Sequence, residues 1–346
     1  MDEKLISVIS IIYDVEPYLK ECLESLSSLK YPELEIILVV GGKEEKTPDG
    51  ESSIDYKGCL ELAESYAEKD SRFSVITCVA RGAGDARNRG LRAAKGAYIG
   101  FVDGDDFVEP DIYDRLFENI SKNNGDISIC GHYREYTDHR EIYDRAAGEG
   151  ARVLSRREAV RTLLKGDSFF FHSWDKLFKA ECFEGIKYPE DLYLEDRYTI
   201  GDIFLKADRI VYDAAPLYHF RIRSDSLSRI KNMSELNTDA DTCFASEVLE
   251  QFPDLENDVE ACLLYGHITC IQNALVNGDF DRKEEEKHLC YIREHEKSSG
   301  ANPLVGKNTR IKAFLSLRCL PLLKLITLFG KQKQKKYQSF EKESKT

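Results

Sequence analysis

Tyr98-Ile99-Gly100-Phe101-Val102-Asp103-Gly104-Asp105-Asp106 is an apolar run that stops on three carboxylates around one glycine. A short apolar run bounded by such a turn suits a strand buried on both faces, and strands of that kind belong to parallel sheets covered by helices. The acids then lie at the carboxyl end of the strand, where open α/β sheets place their ligands. Working outward, residues 5–13, 34–40 and 73–79 read as three more buried strands. Residues 18–29, 58–69 and 85–95 carry apolar side chains at helical spacing, for example Leu19, Cys22, Leu23 and Leu26. The alternation predicts an α/β fold with a mostly parallel central sheet flanked by helices.

Further along, residues 126–145 and 208–222 are strand-like, and 234–295 is helical in pattern. The spacing predicts an α/β domain over 1–230, a helical extension over 231–305, and a basic amphipathic tail over 306–346. The chain has 346 residues and a formal charge of −13, from 49 Lys and Arg against 62 Asp and Glu. An acidic average argues against wrapping nucleic acid. It hides an uneven distribution, since residues 307–346 hold eleven Lys and Arg and only two acids. The ten cysteines are scattered with no Cys-x-x-Cys pair, so reduced, apolar cysteines in a cytosolic protein are expected rather than a disulfide or zinc framework. No signal peptide is read at Met1-Asp2-Glu3-Lys4, and no run is long and apolar enough for a transmembrane helix.

Two turns carry candidate chemistry. At Asp103-Gly104-Asp105-Asp106, uncompensated charge beside a buried strand is costly, and a hard divalent cation bridging a diphosphate would offset it. The other reading is a solvated turn with Asp103 or Asp106 capping a helix after Pro110. The stretch Arg81-Gly82-Ala83-Gly84-Asp85-Ala86-Arg87-Asn88-Arg89-Gly90 follows the third strand. Its glycines permit close backbone approach and its arginines can fork onto phosphate, unless it is a solvated basic connection.

These turns fall within an ordered set of motifs. Ser7-Val8-Ile9 leads to Tyr13-Asp14-Val15-Glu16-Pro17-Tyr18-Leu19. Then come Ala86-Arg87-Asn88-Arg89-Gly90, Lys95-Gly96-Ala97-Tyr98-Ile99, the acidic turn, Trp174-Asp175-Lys176-Leu177-Phe178, and a segment from Tyr188 to Glu195-Asp196. The succession resembles family 2 glycosyltransferases of the GT-A fold, in the bacterial branch that builds capsule, exopolysaccharide and lipopolysaccharide glycans. The resemblance covers roughly residues 5–228. It implies transfer of a sugar from a nucleotide-diphosphate sugar, most simply a UDP-sugar, to a glycan or lipid-linked acceptor, with Mn²⁺ or Mg²⁺ as cofactor and inversion at the anomeric carbon.

The resemblance also implies roles. Asp103 would touch the donor ribose or the metal, Asp105 would ligate the metal, and Gly104 sits between them in the Asp-x-Asp motif. Arg87 would face the nucleotide, and the end of the first strand, Ile11 through Tyr13 to Asp14, would line base and ribose. Asp196 would be the catalytic base. A carboxylate there can take the acceptor proton, and a metal with arginines can stabilise the departing diphosphate. Read from the residues alone, Glu195-Asp196 is an acidic pair near a helix start. Trp174 could stack on acceptor sugar or pack in the core. His172 and His219 suit hydrogen-bonded structural positions, His219 lies in a segment similar to the one behind the family's base, and Arg221 or Arg223 could reach the diphosphate.

One departure stands out. Family members usually end the second strand in Val-Asp-Asp-Gly-Ser, whereas this chain has Val39-Val40-Gly41-Gly42-Lys43, with Val40 and Gly41 where those aspartates would stand. Asp14, or Glu44 and Glu45, could supply the missing acceptor, and the base of the donor is left open. A degenerate transferase serving as a binding or scaffolding subunit is the non-enzymatic alternative. A sugar-nucleotide pyrophosphorylase would carry a glycine-rich basic motif where Tyr13-Asp14-Val15-Glu16 is acidic. For the tail, an apolar face with basic residues suits peripheral contact with the anionic inner face of the cytoplasmic membrane, or docking on the same chain or on a second subunit of a homodimer.

Overall fold

A computed structural model describes residues 3–46, 52–143, 150–190, 192, 194–223, 233–278 and 281–330. The chain divides into two compact units, 1–224 and 225–346.

In the first unit, β1 (Ile6–Ile12), β2 (Leu34–Lys46), β4 (Phe73–Val79) and β5 (Tyr98–Asp103) are parallel, in the spatial order β4-β2-β1-β5. They are linked by α1 (Glu16–Ser27), α2 (Cys59–Ala67) and α3 (Ala83–Ala93), as the alternation predicted. β1 and the 34–42 part of β2 are almost wholly buried because helices cover both faces of the sheet, which is why Ile36, Leu38 and Val40 pack with Leu19, Cys22 and Leu26 of α1.

The sheet then turns mixed. β10 (Lys176–Lys179) lies antiparallel between β5 and β7 (Ile127–Glu135), and β7 runs parallel to β11 (Arg209–Arg221). β11 also pairs with β6 (Phe107–Val108) and β9 (Arg152–Ser155), and β8 (Arg140–Tyr143) pairs with β7. The helices α4 (Ile112–Asn123), α5 (Arg156–Lys165) and α6 (Glu195–Lys206) complete this unit.

At Val40 the second strand does not turn. It runs on to Lys46 and folds back through β3 (Ser52–Asp55), with Lys43 opposite Asp55 and Glu45 opposite Ser53. Residues 34–46 therefore form one long strand where the pattern predicted an end at Val40.

The second unit is helical, with α7 (Met233–Gln251), α8 (Glu256–Asn277), α9 (Arg282–Ala301), α10 (Lys307–Arg318) and a helical run over 320–330. Leu264, Ile268 and Ile271 of α8, Ile292 of α9, and Val305, Ala313, Leu315 and Leu323 form its core. The segment read as the basic tail over 306–346 thus contributes the core side chains Ala313, Leu315 and Leu323. Residues 331–346, with most of its lysines, lie outside the described residues.

Candidate active site

Register fixes the first elements of the site. Ile11 of β1 stands opposite Asp103 of β5, so the end of β1 and the acidic turn are neighbours. The Gly104 N–H donates to the Ile11 carbonyl at 3.0 Å. A Cβ at residue 104 would lie 2.9 Å from that oxygen, so only glycine admits this approach. Tyr13 follows with its ring 48% exposed, and Asp14 takes a left-handed backbone with φ of 52° as the chain bends into α1.

The three carboxylates of the turn separate by environment. The Asp103 and Asp105 side chains are 24% and 26% exposed, whereas Asp106 is buried. Asp106 accepts from the Tyr218 hydroxyl at 2.9 Å and from the Arg221 N–H at 2.8 Å. It ties β11 to the turn instead of capping a helix. Tyr218 also receives the Asp103 N–H at 3.1 Å. The Arg223 guanidinium meets Asp105 at 2.8 Å, and Arg221 donates to the Asp105 carbonyl and to Glu21, each at 2.8 Å. Both arginines named from the sequence therefore reach the acidic turn.

Arg87, which the resemblance sets facing the nucleotide, turns its guanidinium onto carboxylates in this structure. It is 3% exposed, and its guanidinium joins Glu195, Asp103 and Asp196, the last two at 3.2 Å each. Burial opposes its charge, but Asp196, Glu195 and Asp103 hold it firmly protonated. Its Nε is buried without a hydrogen-bond partner. Burial raises the Asp103 carboxyl to about 7, with Asp105, Asp196 and Glu195 adding to the rise and Arg87 opposing it. Glu195 is raised by burial too, again against the pull of Arg87.

The reason α3 meets the 188–196 segment is a close packing at its start. A Cβ at Gly84 would lie 2.0 Å from the Pro189 carbonyl oxygen. Beside it, the Asn88 amide donates to the Tyr188 carbonyl at 2.8 Å and accepts the Tyr188 N–H at 3.0 Å. The basic turn thus acts as a clamp that carries Glu195 and Asp196 to the strand ends.

Asp196 is held from a second side. Ser173 donates its hydroxyl to Oδ1 at 2.8 Å and its N–H to Oδ2 at 3.3 Å, and its hydroxyl lies 2.8 Å from the Tyr188 hydroxyl. The Ser173 backbone is fixed in turn by Lys176, whose buried ammonium donates to the Phe170 carbonyl at 2.9 Å and the His172 carbonyl at 2.6 Å. Ser173, Asn88 and Tyr188 carry no role in the sequence reading. Asn88 and Tyr188 were visible there only as members of quoted motifs, and Ser173 as a neighbour of Trp174.

Two weaker candidates fall outside the cluster of carboxylates. Trp174 is 4% exposed within a stack of His172, Tyr218 and Phe220, so packing, not sugar stacking, accounts for it. His219 is sandwiched between Phe107 and Tyr133, with its ring nitrogens at Glu135 (2.7 Å) and Glu109 (3.0 Å). That arrangement fastens β6 and β7 to β11. At the departure in β2, Val40 is a core side chain, and Gly41 would place a Cβ 3.2 Å from Ala80 and 3.6 Å from the Tyr13 ring. Glu44 lies three strand residues beyond Gly41, about 10 Å along, and pairs with Ile54 in the hairpin.

Among the described residues no group of three or more His, Cys, Asp or Glu side chains forms a ready metal cage. Asp103 and Asp105 fit the other way of holding Mg²⁺ or Mn²⁺, in which one or two carboxylates leave the remaining positions to diphosphate oxygens and water. Burial is the main cause of the rise at Asp103, and the neighbouring acids Asp105, Asp196 and Glu195 that add to it are negative charge such a cation would offset.

A family model described as "Glycosyl transferase family 2" matches residues 7–184. The "Uncharacterized glycosyltransferase EpsJ" of Bacillus subtilis (strain 168) is 36% identical over 231 residues, which is 65% of this chain and 63% of that protein. The chain therefore spans less than two thirds of that relative's length. Among solved structures, S. aureus TarS 1-349 in complex with UDP-GlcNAc is similar at a TM-score of 0.67 and 20% identity, over 91% of this chain and 90% of that one. The mannosyltransferase PcManGT from Pyrobaculum calidifontis, in complex with GDP-Man and Mn²⁺, gives 0.54 at 15% identity, over 92% and 86%. At these identities the structural likeness bears on the fold, a GT-A sheet followed by C-terminal helices.

Proposed function

The chain belongs to glycosyl transferase family 2, and we propose that it moves a sugar with inversion from a nucleotide-diphosphate donor to a glycan or lipid-linked acceptor in cell-surface polysaccharide synthesis. One observation carries this reading. A single buried guanidinium, that of Arg87, spans from Asp103 at the end of β5 to Asp196 at the start of α6, 3.2 Å from each. The group suited to the donor side and the group suited to the acceptor side are thereby one side chain apart.

In the reaction proposed, Asp196 accepts the proton of the acceptor hydroxyl as its oxygen bonds to the anomeric carbon. The bond from that carbon to the diphosphate breaks on the opposite face, and the electron pair leaves with the nucleoside diphosphate. Ser173 keeps the Asp196 carboxylate aimed, and Arg87 allows three acids to remain together in a poorly hydrated place. Asp103 and Asp105 would hold a Mg²⁺ or Mn²⁺ ion, which would supply charge for the diphosphate. The two neighbours solved in complex with UDP-GlcNAc and with GDP-Man and Mn²⁺ support a nucleotide-sugar donor and a divalent cation. The donor proposed is a UDP-sugar, with uracil as its base.

The β2 departure supports a second reading, a non-catalytic binding or scaffolding subunit, because Val40 and Gly41 offer no carboxylate to a base. Calorimetry with UDP and GDP, with and without Mn²⁺, separates the two. Nucleotide binding together with donor turnover supports the enzyme, and no binding to either nucleotide supports the scaffold. A cytoplasmic placement, peripheral on the inner membrane face, belongs to the same proposal.

A further inference from the structure

The second unit shows large apolar side chains to solvent where its own fold does not need them. Of the fourteen such residues exposed among the described residues, seven lie between 311 and 329. Ile311 and Phe314 are on α10, and Leu322, Leu325, Ile326, Leu328 and Phe329 are on the run over 320–330. That run is already docked by its other face. Leu323 is fully buried in the core, and the Thr327 hydroxyl receives the Gln272 amide of α8 at 2.6 Å. The exposed residues 322, 325, 326 and 329 follow the spacing of a single stripe on the far side. A helix apolar on both faces is placed against protein or lipid, not left in water.

Charge selects the occupant. From Lys307 to Gly330 there are five cations, Lys307, Arg310, Lys312, Arg318 and Lys324, and no acid. Arg318 is engaged by Glu296, but Lys307, Arg310 and Lys324 are exposed. The sequence continues with Lys331, Lys333, Lys335 and Lys336. A like-charged strip repels a second copy of itself, whereas an anionic surface attracts it. No helix among the described residues is long and apolar enough to cross a membrane, so the segment suits lying in the interface plane.

We propose that the 322–329 stripe is a docking surface for an anionic lipid bilayer, with Leu322, Leu325, Ile326 and Phe329 entering the acyl boundary and Lys324 among the flanking cations. This deepens the peripheral placement proposed above, and it stands whether or not the first unit transfers sugar.

The test is co-sedimentation of the full chain with vesicles of phosphatidylcholine alone and of equal parts phosphatidylcholine and phosphatidylglycerol. The expected result is binding to the anionic vesicles only, weakened by salt. Leu325→Ser with Phe329→Ser should lower it by about tenfold or more, while Tyr265→Ser, at an exposed position of α8, leaves it unchanged. Circular dichroism checks that the variants remain folded. Absence of vesicle binding by the unaltered chain, or equal binding by the folded double variant, overturns the proposal. So does a lipid-independent dimer that the double variant dissolves while vesicle binding persists. Nucleotide-sugar turnover, read in the same preparations, reports on the catalytic reading separately.

Discussion

Ser173 grips both oxygens of Asp196, with its hydroxyl at 2.8 Å from one and its N–H at 3.3 Å from the other. A carboxylate that must accept a proton along one direction gains from such a hold, since misplacement costs rate even when binding is intact. Ser173→Ala should lower kcat about tenfold to a hundredfold, the worth of a hydrogen bond to a charged group, with KM for the donor nearly unchanged. Ser173→Thr should recover most of the loss. Steady-state kinetics of the two variants checks this, and a change confined to KM would speak for a merely structural role.

The Asp105 carboxylate accepts from Arg223 at 2.8 Å, whereas the buried Asp106 holds both Tyr218 and the Arg221 N–H, so removing the Asp105 carboxylate disturbs less of the fold than removing Asp106. Asp105→Ala should reduce turnover by on the order of a hundredfold or more and abolish the Mn²⁺-dependent part of UDP binding in calorimetry. Asp106→Ala should instead lower the melting temperature, because it unties Tyr218 and Arg221 from the turn.

Arg87 is the counter-charge for three acids, so its loss is a stability matter first. Arg87→Met should destabilise the first unit by about 3–5 kcal/mol, the typical cost of leaving buried charges unpaired. Arg87→Lys should rescue little, because one ammonium does not reproduce the planar fork. Urea unfolding followed by fluorescence of Trp174 in the first unit reads both.

The second unit should weaken in acid. Burial, with help from His288, Lys287 and His295 and against Asp239, lowers His267 to about 3 from its ordinary 6.5. Its Nδ1 lies 2.8 Å from Nδ1 of His288, which is lowered by burial as well. The unfolded chain binds a proton more readily than the folded one between those values, so this contribution is full above about 6.5 and is lost as pH falls toward 3. His267→Phe, which preserves the stacking with Tyr291, should flatten the decline in melting temperature over that window.

The sequence made the parallel half of the sheet legible because its strands are buried on both faces and its helices keep a 3.6 period. β1, β4 and β5 lie within a residue or so of the segments read. β10 has four residues, and β6 two, too short for any period to show. Asp103, Asp105 and Asp196 were readable as motif members, and the structure brings Asp103 and Asp196 onto one guanidinium. What escaped was the division of labour. Only three-dimensional contacts reveal that Asp106 is a tie, that Arg87 faces acids, and that Ser173 holds Asp196, since each bond joins positions 16 to 115 residues apart. The continuation of β2 beyond Val40 escaped for another reason. Gly41, Gly42 and Lys43 are poor strand formers, yet β3 and β4 pair with them across the break in propensity.

The most direct measurement is nucleotide-sugar turnover by Asp196→Asn beside the unaltered chain, with donor affinity measured on both by calorimetry. The expected result is unchanged affinity for the UDP-sugar with turnover lowered by on the order of a thousandfold, the range for loss of a general base. Turnover within a few-fold of the unaltered chain, at equal affinity, would contradict Asp196 as the base.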